Sequence, residues 1–178
     1  DFEEIAYAAP GGSIDAWWVP GASETCAIIV HGRGADRQEG LRLLASMYAA
    51  GFSTLIIRYR NDPGSPEDGI ARFGQTEWED LAAAVDTAVE RGARRLVLAG
   101  ISMGGAIVMA YLERARHAVP VAGAILDSPV LSLRATIDAE AGRAVGPLAR
   151  LGLVRLGRRI SSWRDGIDWN AVDYLSRA

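Results

Sequence analysis

Apolar residues in this chain fall into two kinds of run. Ala27–Val30, Thr54–Ile57, Leu96–Ala99 and Val121–Leu126 are short and almost continuously apolar. Such runs suit strands covered on both faces, as in a parallel sheet. Between them the spacing turns helical. A helix opens near Asp36, with Leu44, Met47 and Tyr48 on its buried side and Gly51 as its C-cap. Asp36 and Glu39 stand at capping-box spacing, as do Thr76 and Glu79 at the head of a second helix. That second helix buries Trp78, Leu81, Val85, Ala88 and Val89 and stops at Gly92. Ahead of these units, residues 2–9 and 13–19 alternate around Pro10-Gly11-Gly12, with Ile14, Ala16 and Trp18 sharing one face. They predict an antiparallel hairpin at a sheet edge. Alternating strands and helices predict an α/β fold with right-handed crossovers and a mostly parallel sheet.

The most informative stretch is Arg95 to Leu112, RLVLAGISMGGAIVMAYL. A strand ends in Gly100-Ile101-Ser102-Met103-Gly104, and a nearly all-apolar helix follows. Strand, G-x-S-x-G, helix is the pattern of a nucleophile elbow. A sharp turn lifts the serine hydroxyl to the carboxyl end of the strand. The flanking positions must then be nearly free of side chain, which Gly100, Gly104 and Gly105 satisfy. A second turn, His31-Gly32-Arg33-Gly34, closes the Ala27–Val30 strand. Asn61 to Gln75, rich in glycine, proline and acid, predicts a long loop at the same end of the sheet.

Composition narrows the function classes. The 178 residues are 49% apolar and 23% charged, as in a folded globular chain. A net charge of −3 argues against nucleic acid as a partner. Cys26 is the sole cysteine, so no internal disulfide forms, and with two histidines an ordinary metal site is not expected. No cofactor is called for. Gly32-Arg33-Gly34 after a strand also admits a dinucleotide-binding turn, with Arg58 or Arg60 toward a 2′-phosphate. Arg37, however, stands where that fingerprint needs its third glycine. The chain opens at Asp1 rather than Met, so something upstream is expected to have been removed, with a leader or anchor one candidate for it; the location expected is cytoplasmic, or membrane-tethered if an anchor was lost.

In the order hairpin, strand–HGRG, helix, strand, helix, strand–GISMGG, helix, strand–LDSP, the chain resembles the α/β-hydrolase superfamily. It is most similar there to bacterial serine hydrolases of the serine-aminopeptidase-like and monoacylglycerol-lipase-like branch. The resemblance implies an acyl-enzyme mechanism on Ser102 toward a small ester, thioester or amide. It also implies an oxyanion hole from the backbone N–H groups of Arg33 and Met103. His31, Gly32, Gly34, Gly100 and Gly104 would then be supporting-turn residues. In that superfamily the order is serine, acid, histidine. Asp127, at the end of the strand after the serine helix, is the candidate acid; its structural alternative is capping the turn at Ser128-Pro129.

The one histidine after Ser102 is His117, near the end of the helix that Ser102 begins, about 20 Å from the serine at the helical rise. Residues 1–130 therefore read as a partial hydrolase core, incomplete at its C-terminal sheet edge. Residues 131–178 read as a helical cap or connecting segment, and the chain alone is expected to lack its catalytic base. The Val121–Leu126 strand, left bare, would be an exposed apolar edge, so a missing C-terminal segment, a second chain or the 131–178 segment is expected to cover it. Residues 141–160 carry Arg143, Arg150, Arg155, Arg158 and Arg159 with leucines interleaved and no acid. A basic amphipathic stretch of this kind suits a membrane surface or an acyl chain. A cap packed over the site, with its arginines facing water, is the preferred expectation.

Overall fold

The computed structural model describes residues 2–62, 65, 69–116, 119–144 and 147–177; within the last two segments the side chains of residues 142, 144 and 147–151 lie outside the description. His117 lies outside the described residues. So do the side chains of Leu148, Arg150 and Leu151 in the basic stretch.

Six strands form one sheet. They are β1 (Glu3–Ala9), β2 (Gly12–Val19), β3 (Thr25–Val30), β4 (Ser53–Ile57), β5 (Arg95–Ile101) and β6 (Val121–Asp127). Their spatial order is β1-β2-β4-β3-β5-β6. β4, β3, β5 and β6 run parallel, and the β1–β2 hairpin joins antiparallel along β4. The helices are α1 (Leu41–Ala49), α2 (Trp78–Glu90), α3 (Met103–Arg114), α4 (Leu133–Ala144) and α5 (Pro147–Asp165).

The pleat divides the core between two faces. Ile28 and Val30 of β3, with Leu55 and Ile57 of β4, pack beneath α2 and α3 against Leu81, Val85, Ile107 and Tyr111. Ala27, Ile29 and Ile56 point the other way, toward Met47 of α1. Ile14, Ala16 and Trp18 of β2 join the first face, as their alternation predicts.

Several local expectations are corrected. Tyr48 is exposed: a 3₁₀ turn, Arg37–Gly40, precedes α1, so Leu43 and Met47 take the sheet-facing positions and Tyr48 falls about 100° further round. The Asp36 half of the first capping box forms, its Oδ1 accepting from Gln38 N at 2.7 Å. Glu39 does not reciprocate; its Oε2 accepts the Gly32 N–H at 2.7 Å. In the second box Thr76 Oγ1 is buried without a partner. Glu79 is drawn instead to the buried Arg60 guanidinium at 2.9 Å, because a buried cation demands an anion more strongly than a neutral N–H does. The buried Glu77 carboxylate organises the loop instead, accepting from the backbone N–H groups of Arg72, Gly74 and Thr76.

Among the described residues, the 131–178 segment does not cover β6. From Asp165 onward it returns over the 70–76 loop and α3. Arg72 Nε donates to Asp165 O, Gln75 bonds Gly166 O and Asp168 N, and Arg114 donates to Ala171 O. Tyr174 seats against Ala106 and Ala110. Along β6, Ala122 through Ile125 stay exposed, and no strand among the described residues pairs with its outer side.

Candidate active site

The parallel strands β3, β4 and β5 all end at one rim of the sheet, and the site gathers there. β5 delivers Ser102 in an unusual conformation, φ 51° and ψ −113°, which L-residues adopt only when their surroundings impose it. Those surroundings are visible. Ser102 N donates to Asp127 O at 2.9 Å, and Ser102 O accepts from Val130 N at 3.0 Å and Gly105 N at 3.1 Å. The glycines are needed for closeness. A β-carbon on Gly100 would sit 2.5 Å from Gly104 O, and one on Gly104 would sit 2.1 Å from Val30 O. One on Gly105 would meet the Pro129 ring at 2.5 Å. α3 therefore lies hard against the ends of β3 and β5, and its first N–H, that of Met103, donates to no described group.

The turn after β3 comes right up to Ser102. A β-carbon on Gly32 would lie 3.2 Å from Ser102 Cβ. Gly34 supplies the positive φ, +76°, that lets the turn reverse. His31 is fully buried beneath it, stacked on Tyr59 with ring centroids 4.7 Å apart. Its Nδ1 lies 2.8 Å from Gly32 O, and its Nε2 lies 2.7 Å from Asp62 Oδ2. A carbonyl only accepts, so Nδ1 donates to Gly32 O, and a second proton lies between Nε2 and Asp62 Oδ2. Across a trans peptide the carbonyl and the following N–H point in opposite directions. Holding Gly32 C=O on the His31 ring therefore turns the Arg33 N–H the other way, and that N–H donates to no described group. Glu39 fixes the peptide before it through the Gly32 N–H. Burial first, and then the nearby Asp62 and Glu77 carboxylates, push the Tyr59 phenol well above its ordinary range, so it stays a neutral hydroxyl.

Asp127 sits beside Ser102 through its backbone, while its half-exposed carboxylate bonds the Arg42 guanidinium at 2.5 Å and the Ser128 hydroxyl at 3.1 Å. Arg60 is clamped by Asp80 through its Nε and Nη2 and through its backbone N–H, and Arg58 lies 3.8 Å from Asp15. Arg60 is therefore committed to the fold and is not available to a 2′-phosphate, while Arg58 is only loosely paired. Beyond Arg33 opens an apolar cavity of about 620 Å³, walled by Phe73, Leu133, Ile137, Val154 and Ile167 from the loop, α4, α5 and the return segment.

Sequence reasoning missed the His31–Asp62 pair and the Glu39–Gly32 bond. A signal for the pair existed. β3 and β4 are parallel neighbours in register at Val30 and Ile57, so a histidine just past one and an aspartate just past the other come together at the rim.

A profile of the family described as serine aminopeptidase, S33, matches residues 21–173. The chain belongs to that family. The sheet order and the hairpin of this S33 family member are those of an α/β hydrolase. An esterase from Pyrococcus furiosus is similar in fold, with a TM-score of 0.68 at 17% identity over 88% of this chain and 64% of that one. An esterase from Thermogutta terrifontis is similar too, with a TM-score of 0.59 at 20% identity over 79% of this chain and 53% of that one. Among curated proteins, an uncharacterised protein of Mycobacterium tuberculosis strain H37Rv is 28% identical over 132 residues. That match spans 69% of this chain and 43% of the relative, so the chain covers less than half the length of the curated relatives it matches. Among the described residues, no helix is long and apolar enough to cross a membrane.

Proposed function

We propose that Ser102 is the nucleophile of a serine hydrolase acting on a carboxylic ester, thioester or amide through an acyl-enzyme. The observation that carries this reading is the strained Ser102 backbone, pinned from both sides at the head of α3. Nothing in packing calls for a serine there, and strain of this kind is stored where chemistry uses it. Ser102 Oγ attacks the acyl carbon, and the Met103 and Arg33 N–H groups receive the charge that develops on the carbonyl oxygen. His31, Gly32, Gly34, Gly100 and Gly104 hold that pair of donors. Departure of the leaving group gives the acyl-enzyme, which water then hydrolyses. The apolar cavity beyond Arg33 favours an acyl chain or a small hydrophobic ester as substrate.

The base is the part not in hand. His31, the one histidine among the described residues, has both ring nitrogens committed, to Gly32 O and Asp62. Asp127 remains the acid candidate of this reading, to be freed from Arg42 when a histidine binds it. The chain by itself is thus expected to be inactive, with the histidine supplied by a further segment or a second chain that pairs along β6. The same observation supports a second reading, in which the fold serves as a non-catalytic scaffold or partner-binding module.

A fluorophosphonate probe with intact-mass readout separates the readings. The 178-residue chain is expected to stay unlabelled. A chain extended past Ala178 to the length of its curated relatives is expected to gain one phosphonyl adduct that Ser102→Ala abolishes. Labelling of the 178-residue chain at Ser102 would show that a base lies within it. No labelling of either folded chain would favour the non-catalytic reading.

A further inference from the structure

α5 is packed on its narrow side and apolar on its open one. Val154, Arg158, Ser161 and Asp165 form the strip turned inward, half-buried to buried. On the opposite side Leu156 is 56% exposed, Ile160 45% and Trp163 87%, and Leu153, 59% exposed, stands at the margin between this side and the cavity it helps to line. At about 100° per residue these four side chains fall within an arc of roughly 80°, the reverse of the usual arrangement in which the outward face is polar. Arg155 and Arg159 line one edge of the stripe, and neither makes an ion pair among the described residues. Arg164 lines the other edge. From Pro147 to Arg164 the sequence holds no acidic residue, although the chain as a whole is at −3.

The charge decides between occupants. In a second copy meeting the first through this stripe, Arg155 and Arg159 would face arginines, and like charges across an interface are costly. An anionic lipid surface meets every feature together. A helix of 19 residues, about 28 Å long, can lie flat with its aliphatic side chains at the headgroup–acyl boundary. The arginines then stay at the phosphates, and a tryptophan occupies the interfacial zone it prefers. We propose that α5 docks the protein on an anionic lipid surface through Leu153, Leu156, Ile160 and Trp163, with Arg155 and Arg159 on the phosphates. The inner side of the same helix walls the apolar cavity that reaches Arg33, so docking brings lipid within one helix diameter of that cavity. The proposal stands independently of the chemistry assigned to Ser102.

The test is vesicle co-sedimentation of the 178-residue chain, with phosphatidylglycerol-containing vesicles against pure phosphatidylcholine vesicles, and tryptophan emission read in parallel. Binding to the anionic vesicles is expected, with a blue shift lost in Trp163→Ala and weakening as salt rises. Arg155→Gln with Arg159→Gln should weaken binding roughly 25-fold, at about fivefold per arginine. Both sets of changes are on the exposed side of α5, and far-UV circular dichroism confirms that the variants remain folded. Equal binding to phosphatidylcholine, or no binding to either vesicle, would overturn the proposal. So would self-association, seen by sedimentation velocity, that Trp163→Ala abolishes, which would assign the stripe to a second copy of this chain.

Discussion

Gly104→Ala tests whether the head of α3 sits where the site requires. The added β-carbon would lie 2.1 Å from Val30 O, 2.7 Å from Val30 C and 2.7 Å from His31 O. A carbon normally approaches a carbonyl oxygen to about 3.3 Å, so α3 must withdraw from the end of β3 by about 1 Å. All three obstacles are backbone, so no rotamer change relieves the clash. Overpacked cores typically lose about 1–3 kcal/mol, and a backbone clash belongs at the upper end, near 3 kcal/mol. With a urea m-value of about 2 kcal/mol per M, the unfolding midpoint should fall by roughly 1.5 M. Two controls bracket the effect. Gly123 and Gly152 have nothing within 4 Å of an added β-carbon. Gly123→Ala should be nearly neutral, and Gly152→Ala, inside α5, should stabilise by about 0.5–1 kcal/mol through helix propensity. The assay is urea unfolding followed by circular dichroism. If Gly104→Ala matches the wild type in midpoint and m-value, α3 does not abut β3, and the site geometry built on that approach fails.

Ser102→Gly should raise the melting temperature, since relief of about 1–3 kcal/mol of backbone strain outweighs the entropy glycine adds; a lower melting temperature would mean that Ser102 is unstrained. Asp62→Ala should cost about 3–5 kcal/mol in urea unfolding by stranding His31 Nε2 in a buried site. Asp62→Asn should cost only about 1 kcal/mol, because its carboxamide N–H can donate to Nε2 while Nδ1–H keeps Gly32 O; equal losses in the two variants would refute the wiring. Stability should also decline above pH 9. Burial raises the Cys26 thiol from 9.0 to about 12, and burial likewise raises the Tyr174 phenol from 10.0 to about 12. Their protons are held more tightly when folded, so this stability is complete below the unfolded values and is lost as pH climbs toward 12. Thermal melts from pH 8 to 10.5 check it, with Cys26→Ala giving a shallower decline.

The strands and helices were legible because their periods are local. Four continuous apolar runs, one alternating hairpin and the Gly51 and Gly92 stops placed the strands and α-helices through β6, though not the 3₁₀ turn before α1, and the motif around Ser102 placed the turn. What failed was the assignment of polar partners. Glu39 and Glu79 each stood at a spacing that fits a helix cap, yet each turned to a stronger demand from elsewhere in the chain, the Gly32 N–H and the Arg60 guanidinium. Local spacing says which bonds are within reach. Burial decides which are made, because an unpaired buried donor costs more than an unpaired exposed one. Leu156 of α5, more than half exposed, misled for a related reason. Its helical spacing marks an apolar face but does not say whether protein or some other apolar phase lies against it, and the packed strip proved to be Val154, Arg158, Ser161 and Asp165.

The same distinction explains how the site is held. Ser102 and Arg33 are 69 positions apart, yet their relative placement depends on few adjustable parts. β3 and β5 are hydrogen-bonded neighbours, with Val30 opposite Gly100, so the two turns leave the sheet side by side. Gly104 brings α3 down onto the carbonyls of Val30 and His31, which fixes the height of the Met103 N–H relative to the β3 turn. One torsional freedom remains, the direction of the Gly32–Arg33 peptide. His31 removes it by holding Gly32 O from below, Glu39 fixes the preceding N–H, and Asp62 holds the far side of the His31 ring. If the Arg33 and Met103 N–H groups are the donors, as proposed above, the folded core orients them before any substrate arrives, and that order suits electrostatic stabilisation, which gains most when the protein's dipoles need not reorient during the reaction. It follows that variants at His31 or Asp62 should slow acylation of the extended chain through its turnover number and leave KM nearly unchanged, because the donors they aim act on charge that exists only in the transition state.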